Sequence, residues 1–360
     1  MNARERFLAI FNDTKRKKLD KIPTHVQYIR EGFISEYHNE IMKDYTGKLF
    51  NKTYFDIPYI LGFDSIFAPF PLSYTFRSIK VRDKNGQVIK IKENGQSIKQ
   101  KTTYYEGGFI HCIEILEDLW SNLKILNNSQ YLLKTIDYYE KLAPFIFPVL
   151  TVDGIFDRVW RSMGMPIFAR NFHNKTKLYE NLIKFYAELT KINVEGLINA
   201  TGGRGKIIVI LDDIAFRGRL MISKTRWNQD FLPLYKEILS IIIDAKLIPI
   251  IHTDGDPTEL IPSFQDVGFS GLQGWEGGAD PQYINDKFPE FVIIGFGDVS
   301  NILPFGDHQQ IEMHVEELIN ILKDNRHFII GPSTVIYQKI PLKNVRYFIK
   351  SVNKYGKYYS

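Results

Sequence analysis

The most informative segment for predicting the fold is IPIIHTDGDP, residues 248–257. In it an apolar run ends in one histidine and two aspartates. A short, mostly apolar run of this kind is typical of a strand that is covered on both faces of a sheet. Elsewhere, residues 228–246 and 310–326 each carry apolar residues along one stripe at helical spacing. The pattern therefore predicts buried strands that alternate with amphipathic helices.

The same unit recurs eight times along the chain. Eight parallel strands, each returning through a helix, are the (β/α)8 TIM barrel, which is an α/β fold. Its usual length of about 250 residues leaves room in this 360-residue chain for an N-terminal helical extension and one insertion. The predicted strands are 22–28, 61–70, 147–154, 206–213, 247–253, 269–275, 291–298 and 327–333.

The insertion follows the second predicted strand, at about residues 73–108. Asn-Gly pairs at 85–86 and 94–95 are typical of type I′ turns, and they would join three alternating strands into a β-meander. We therefore predict a single barrel domain over residues 1–360 that carries this meander.

Composition narrows the classes of function. Lys and Arg number 46 against 41 Asp and Glu, and the only dense basic run is at 15–18, so we expect no nucleic-acid partner. The single cysteine, Cys112, excludes both an internal disulfide framework and a metal site built from several thiolates of this chain. The N-terminus has no apolar signal core, and no run approaches the roughly 18 apolar residues of a membrane span. We predict a cytoplasmic protein that does not bind a membrane.

Acidic residues dominate the ends of the predicted strands, where barrels of this kind bind their ligands. Several carboxylates that converge on one mouth repel each other unless protons, a cation or a cationic substrate group lie between them. The polar residues that follow the third to seventh strands are Asp153, Asp212, Asp213, His252, Asp254, Asp256, Glu276 and Asp298.

A metal site is one interpretation of this rim. His252 and Asp254 are two residues apart on a strand end and point to the same side. Together with Glu276 they would supply one nitrogen and two oxygens, which suits zinc, iron or manganese at an open catalytic site. The alternative is a buried polar layer in which His252 hydrogen-bonds to Asp254 or Asp212. Asp256 precedes a proline and is expected to cap the next helix.

The remaining rim residues each have two interpretations. Asp212 and Asp213 are adjacent, so only one can face the barrel axis, and the other would cap a segment or form a salt bridge. Asp153 could contact substrate or form a tight turn. Asp298 lies beside two glycines that leave space for a ligand or for helix packing. Arg30 could balance the acids or bind an anionic substrate.

Four segments in this order resemble the uroporphyrinogen decarboxylase superfamily: residues 21–37, 152–172, 211–239 followed by HTDGD at 252–256, and 331–356. The resemblance runs nearly end to end. It implies the same barrel, and either decarboxylation of a tetrapyrrole or methyl transfer between thiols and a corrinoid.

The decarboxylase branch fits the sequence poorly. Its members carry two arginines in an R-Q-A-G-R pattern after the first strand, whereas this chain has Arg30 and then Ile34 in the second position. The aspartate expected after the second strand is missing from FAPFPL at 67–72, and Gly331 is followed by Pro332 rather than histidine. These departures argue against a porphyrinogen as substrate.

The methyltransferase branch carries zinc on an H-x-C pattern and a second cysteine near the last strand. His252 matches the histidine, Asp254 stands in place of the first cysteine, and Pro332 or Ser333 in place of the second. The soft ligands are absent, which leaves a harder site of His252, Asp254 and Glu276.

The resemblance therefore implies a metal-assisted methyltransferase or demethylase. It would move methyl between a small methylated substrate or thiol and a corrinoid carried by a partner protein, using a divalent metal, with zinc favoured. Asp212 or Asp213 would manage a proton, and substrate would contact Arg30, Asp153 and Asp298. Two alternatives remain: a decarboxylase-like lyase acting on a tetrapyrrole or small acid, and a non-catalytic corrinoid-binding barrel.

Overall fold

The fold is known from a computed structural model, which describes residues 1–43, 45–76, 79–82, 88–91, 108, 110–126, 129–275 and 277–358. Eight parallel strands form one sheet in chain order. They are β1 His25–Val26, β2 Ser65–Pro69, β3 Phe147–Asp153, β4 Ile207–Leu211, β5 Ile248–Thr253, β6 Gly271–Gly274, β7 Val292–Gly297 and β8 Phe328–Pro332.

The sheet closes on itself, because a parallel bridge between Thr24 and Ile330 joins the start of β1 to β8. Each of the eight predicted runs contains one strand of the barrel, so the predicted (β/α)8 architecture is confirmed. β1 is the shortest of the eight barrel strands, with two residues.

Helices surround the barrel and connect its strands. The helix Leu232–Asp244 buries Tyr235, Ile238 and Ile242 along the predicted stripe. The helices are Ala3–Ala9, Asp13–Arg16, Glu31–Met42, Thr53–Leu61, Ile113–Asn122, Ser129–Leu142, Phe156–Met163, Met165–His173, Lys177–Thr201, Lys224–Asp230, Leu232–Asp244, Ile261–Val267, Pro281–Lys287, Ile302–Phe305, His308–Leu322 and Leu342–Tyr355, with a 3-10 turn at Thr258–Leu260. None of the helices in the described ranges combines the length and the apolar composition that a membrane-spanning helix needs.

The core has two parts. The larger lies between the strands and the surrounding helices. The smaller includes Phe67, Val149, Val209 and Ile250 from the strands together with Phe7 of the first helix. The predicted N-terminal extension therefore packs against the strands through this smaller core.

The insertion contains an antiparallel hairpin of Ile79–Arg82 with Val88–Ile91, which corresponds to the first two predicted meander strands. The predicted turns at 85–86 and 94–95 and the third strand lie outside the described residues. A pairing that the sequence did not predict joins Tyr74–Phe76 to Leu123–Ile125.

Candidate functional site

A cavity of about 460 Å³ opens at the carboxyl end of the barrel. The register brings this end together, since His252 of β5 pairs with Leu211 of β4 and with Gln273 of β6. Six of the predicted site residues line the cavity: Arg30, Asp153, Asp212, Asp213, His252 and Asp254. Arg30 and Asp153 are exposed at its mouth.

The orientation of His252 is fixed by Gln273. The imidazole is buried, and its Nδ1 lies 3.1 Å from the backbone oxygen and 2.5 Å from Oε1 of Gln273. Gln273 Nε2 donates to the backbone oxygen of Ser333 at 3.1 Å, so its Oε1 is the atom that accepts from the histidine. The Nδ1 of His252 therefore carries the proton, and Nε2 offers a lone pair toward the cavity.

Two carboxylates face that nitrogen. His252 Nε2 lies 3.6 Å from Asp213 Oδ1 and 3.9 Å from Asp254 Oδ1. One ligand atom from each of these three residues falls within 4.8 Å of the others. An imidazole nitrogen and two carboxylate oxygens are donors that divalent metals accept, and the tautomer held by Gln273 is the one that a metal-bound histidine needs. The donor set therefore fits a divalent metal, and none of its members is a thiolate.

The structure modifies the predicted ligand set. Asp213, which we expected to manage a proton, lies with His252 and Asp254. Glu276, the third predicted ligand, lies outside the described residues. Among the described residues, the second carboxylate of the cluster comes from the segment that follows β4, and the role of Glu276 stays a prediction.

The buried polar layer that competes with a metal is built from glutamines. Gln27 Nε2 lies 3.3 Å from His252 Nε2, and Gln27 Oε1 accepts from Thr334 Oγ1 at 2.9 Å. The expected hydrogen bond from His252 to Asp254 or Asp212 is replaced by contacts to Gln27 and Gln273. Neither glutamine could be predicted from local patterns, because each contact depends on how separate segments of the barrel come together.

Asp212 points away from the cluster. Its carboxylate accepts from the backbone N–H groups of Phe156 at 3.1 Å and Asp157 at 2.6 Å, and forms a short hydrogen bond with Tyr235. It thus caps the helix Phe156–Met163, which follows β3. Burial raises the pKa of Asp212 to about 6, against the opposing effect of these hydrogen bonds. Both acids of the pair line the cavity, but only Asp213 belongs to the cluster, whereas Asp212 caps a helix.

An arginine that the sequence analysis did not single out balances the cluster. Arg161 Nη2 lies 3.0 Å from Asp213 Oδ2, and Arg161 Nε lies 2.5 Å from Asp157 Oδ1. Burial, together with the charge of Asp213, raises the pKa of Asp157 well above its usual value. The i,i+4 spacing of Asp157 and Arg161 directly after β3 is the signal that could have found them.

Asp298 does not reach this cavity. Its Oδ1 accepts from the backbone N–H groups of Ser300 at 2.7 Å and Asn301 at 2.8 Å. Burial acts to raise the pKa of Asp298, but these hydrogen bonds outweigh it and lower the pKa. Asp256 accepts from the backbone N–H of Thr258 at 3.1 Å, but Pro257 rather than Asp256 stands at the N-cap position of the 3-10 turn, so Asp256 closes a tight turn instead of capping a helix.

Comparisons with known proteins agree with this architecture. The family model of uroporphyrinogen decarboxylase (URO-D) matches residues 160–355. The structure is similar to that of a methyltransferase from Methanosarcina mazei, with 16% identity, 98% of this chain and 99% of that chain covered, and a TM-score of 0.63. At this identity the similarity shows the fold alone.

Two further structures are more distant. The pneumococcal virulence factor StrH shares 10% identity over 94% of this chain and 84% of that chain, with a TM-score of 0.43. The octameric Rubisco from Pyrococcus horikoshii shares 9% identity over 96% and 62%, with a TM-score of 0.39. Neither value supports an argument about function, and no curated protein matches the sequence. Because the matched family segment covers more than half of the residues and lies on a barrel with eight strands, the chain belongs to the uroporphyrinogen decarboxylase family.

Proposed function

We propose that this protein is a metal-dependent methyltransferase or demethylase. It would transfer methyl between a small methylated substrate or thiol and a corrinoid carried by a separate protein. The observation that supports this proposal is the cluster of Asp213, His252 and Asp254 at the ligand-binding end of the barrel. The similar fold of a protein that is called a methyltransferase adds to it.

The three clustered residues would hold the metal, which supplies Lewis-acid polarisation of the substrate heteroatom when bound. Gln273 keeps the lone pair of His252 directed at the cluster. Arg161 offsets part of the negative charge through its ion pair with Asp213. A site with more carboxylates than thiolates favours oxygen or nitrogen over sulfur as the polarised atom.

Two other carboxyl groups can hold a proton near the cluster. Asp212, whose pKa is about 6, shares a hydrogen bond with Tyr235, and Asp157 has a raised pKa and lines the cavity. A leaving heteroatom needs a proton when its methyl group departs. A carboxyl whose pKa is raised stays protonated to higher pH than an ordinary carboxyl and can donate that proton. Arg30 and Asp153 at the mouth are proposed to contact substrate.

Metal analysis is the direct test. We expect purified protein, after incubation with Zn²⁺ and removal of excess metal, to retain about one equivalent. His252→Ala should lose it, because the cluster then has no nitrogen donor. The matched control is His38→Ala, which alters a histidine outside the cluster. Equal metal contents for wild type and His252→Ala, whether both one or both zero, would remove this mechanism.

Activity is tested separately by the absorbance of a corrinoid. Loaded protein is mixed with reduced cobalamin and a panel of methylated amines, ethers and thiols, and we expect one class to produce methylcobalamin. Tight corrinoid binding without turnover on any donor would favour the non-catalytic corrinoid-binding barrel instead.

The family match supports a second candidate function, that of a decarboxylase-like lyase acting on a tetrapyrrole or small acid. Incubation with uroporphyrinogen tests it for the tetrapyrrole. Formation of coproporphyrinogen, with the same rate in metal-free protein, would establish the lyase and displace the methyltransferase.

A further inference from the structure

A second cavity, which the proposed function does not use, lies beside the barrel mouth. Its volume is about 230 Å³, and it is bounded by the carboxyl ends of β6, β7 and β8 and by the helix His308–Leu322. Its lining includes Arg217, Trp275, Phe296, Asp298, His314 and Ser333. Ser333 therefore faces this cavity, although it stands near the position where the methyltransferase branch would carry a cysteine.

The backbone at two aromatic residues of this cavity is strained. Trp275 has φ of 73° and Phe296 has φ of 67°, and each follows a glycine that also has positive φ. Those glycines, Gly274 and Gly295, pair with each other across β6 and β7. A left-handed conformation is unfavourable for a bulky L-residue, and such strain concentrates at functional sites.

The side chains of Trp275 and Phe296 form a stacked aromatic pair, which we call the aromatic wall. The rings of Trp275 and Phe296 are parallel to within 7°, with centroids 5.3 Å apart. The indole N–H of Trp275 is already used, since it donates to the backbone oxygen of Leu272 at 3.1 Å. What the wall offers a ligand is therefore its aromatic surface.

A buried hydroxyl supplies one polar anchor. Ser333 is 2% exposed, and its Oγ has no hydrogen-bond partner among the residues that the structure describes. A buried hydroxyl left without a partner costs free energy, which a ligand atom in the cavity can recover. The hydroxyl and the aromatic wall line the same small space.

Among the described residues that line the cavity, the charged side chains are one cation and two carboxylates. Arg217 opposes two carboxylates, Asp298 and Glu317. Asp298 is held by the hydrogen bonds from residues 300 and 301. Burial lowers the pKa of His314, which keeps its imidazole neutral at pH 7. Because hydrogen bonds already hold the Asp298 carboxylate, Arg217 and Glu317 remain as one pair of opposite charges, and an aromatic surface beside such a pair favours an uncharged planar ring.

We propose that this cavity binds a small uncharged molecule with a single aromatic ring. The ring packs against the wall of Trp275 and Phe296, and a polar substituent hydrogen-bonds to Ser333 Oγ. The cavity is slightly smaller than the roughly 300–1,000 Å³ of drug-sized sites, so it has room for one ring with a short substituent. The proposal does not depend on metal binding or methyl transfer.

Calorimetric titration of the full chain with benzamide and nicotinamide tests the proposal. Excess EDTA in the buffer separates the result from that of the metal site. We expect saturable binding with one-to-one stoichiometry. Cyclohexanecarboxamide, which keeps the amide but lacks a planar ring, should bind at least tenfold more weakly. Ser333→Ala should weaken benzamide about three- to tenfold, the loss of one hydrogen bond. Ser263→Ala, a buried serine outside this cavity, should leave it unchanged.

Any one of the following outcomes would overturn the proposal. The first is no saturable binding of either aromatic amide. The second is equal affinity for benzamide and cyclohexanecarboxamide, or tighter binding of tetramethylammonium than of benzamide. The third is unchanged benzamide affinity in Ser333→Ala when circular dichroism shows that this variant is folded.

Discussion

At the scale of single residues, the chemistry of the cluster depends on which nitrogen of His252 carries the proton. Gln273 places the proton on His252 Nδ1, because both its Oε1 and its backbone oxygen accept from that nitrogen. The Nε2 of the same Gln273 amide donates to the backbone oxygen of Ser333. A second residue that orients a metal-ligating histidine typically affects metal affinity as strongly as some direct ligands.

Gln273→Met is therefore expected to lower zinc affinity about 10- to 100-fold, because the imidazole loses the acceptor that fixes its tautomer. Gln273→Glu keeps an acceptor and should retain most of the affinity. Competition with a chelating dye measures both variants, and Gln282→Met on the surface is the control. Wild-type affinity in a folded Gln273→Met protein would show that Gln273 has no positioning role.

A second histidine predicts the response to acid. His25 is fully buried in the barrel, with Nδ1 2.9 Å from Ser65 Oγ, and burial together with neighbouring His252 lowers its pKa to about 3. The unfolded chain takes up this proton near pH 6.5, whereas the folded protein resists it until about pH 3. The unfolded state therefore binds more protons in this window, and stability falls as pH falls from 6.5 toward 3.

His25→Leu should flatten this pH dependence. Urea denaturation between pH 6.5 and 4 is expected to give a smaller change in unfolding free energy for His25→Leu than for wild type. The half-buried residue His38, replaced by leucine, should leave the slope as it is. Parallel slopes for wild type and His25→Leu would show that His25 titrates normally in the folded protein.

At the scale of elements, the rim of the barrel depends on strands that approach each other too closely for side chains. Gly274 ends β6 with φ of 138°, and a Cβ placed there would lie 2.0 Å from the backbone oxygen of Thr253. Gly202, which follows the helix Lys177–Thr201, also has positive φ, at 55°, but a Cβ there would meet nothing within 4 Å. The two glycines share a backbone preference and differ in their surroundings.

Alanine at these two positions separates the two effects. Gly202→Ala should cost about 1 kcal/mol of unfolding free energy, the cost of a left-handed alanine. Gly274→Ala should cost several kcal/mol, because the strand must also move away from β5. Thermal and urea unfolding measure the difference, and similar costs for both variants would contradict the proposed contact between β5 and β6.

At the scale of the whole molecule, one arginine ties the N-terminal extension to the barrel. Arg6 is buried, and its Nη1 lies 2.6 Å from Asp64 Oδ1 while its Nε donates to Asp20 at 2.8 Å. Asp64 also accepts from the backbone N–H of Thr24, just before β1. This one guanidinium thus connects the first helix to the segments that precede β1 and β2.

Arg6→Met is expected to destabilise the protein by about 3–5 kcal/mol, because it leaves Asp64 as a buried charge without its main partner. Arg346→Met breaks an ion pair of similar length with Glu40, but both partners are about half exposed, so the expected cost is below about 1 kcal/mol. Urea denaturation compares the two. Equal costs would mean that burial adds nothing to the pair of Arg6 and Asp64.

Local sequence patterns were enough to predict the barrel. Each strand is a local run of apolar residues that ends in a polar one, and each helix that we singled out carries its own stripe, as in Leu232–Asp244. Such periodicity is a property of neighbouring residues and needs no knowledge of the partner strand. The turn that Asp256 closes is local in the same way, since the residue it bonds is two positions away.

Which of these side chains lie in contact depends on the tertiary structure and not on local sequence patterns. Adjacent residues Asp212 and Asp213 have different partners, and strand register places the second of them beside His252. Gln273 and Arg161 reach the same point from β6 and from the helix after β3, and Asp298 is drawn into a different cavity. The physical reason is that these contacts join residues tens to hundreds of positions apart, and a barrel's register and closure fix such pairs while local patterns of apolar residues do not.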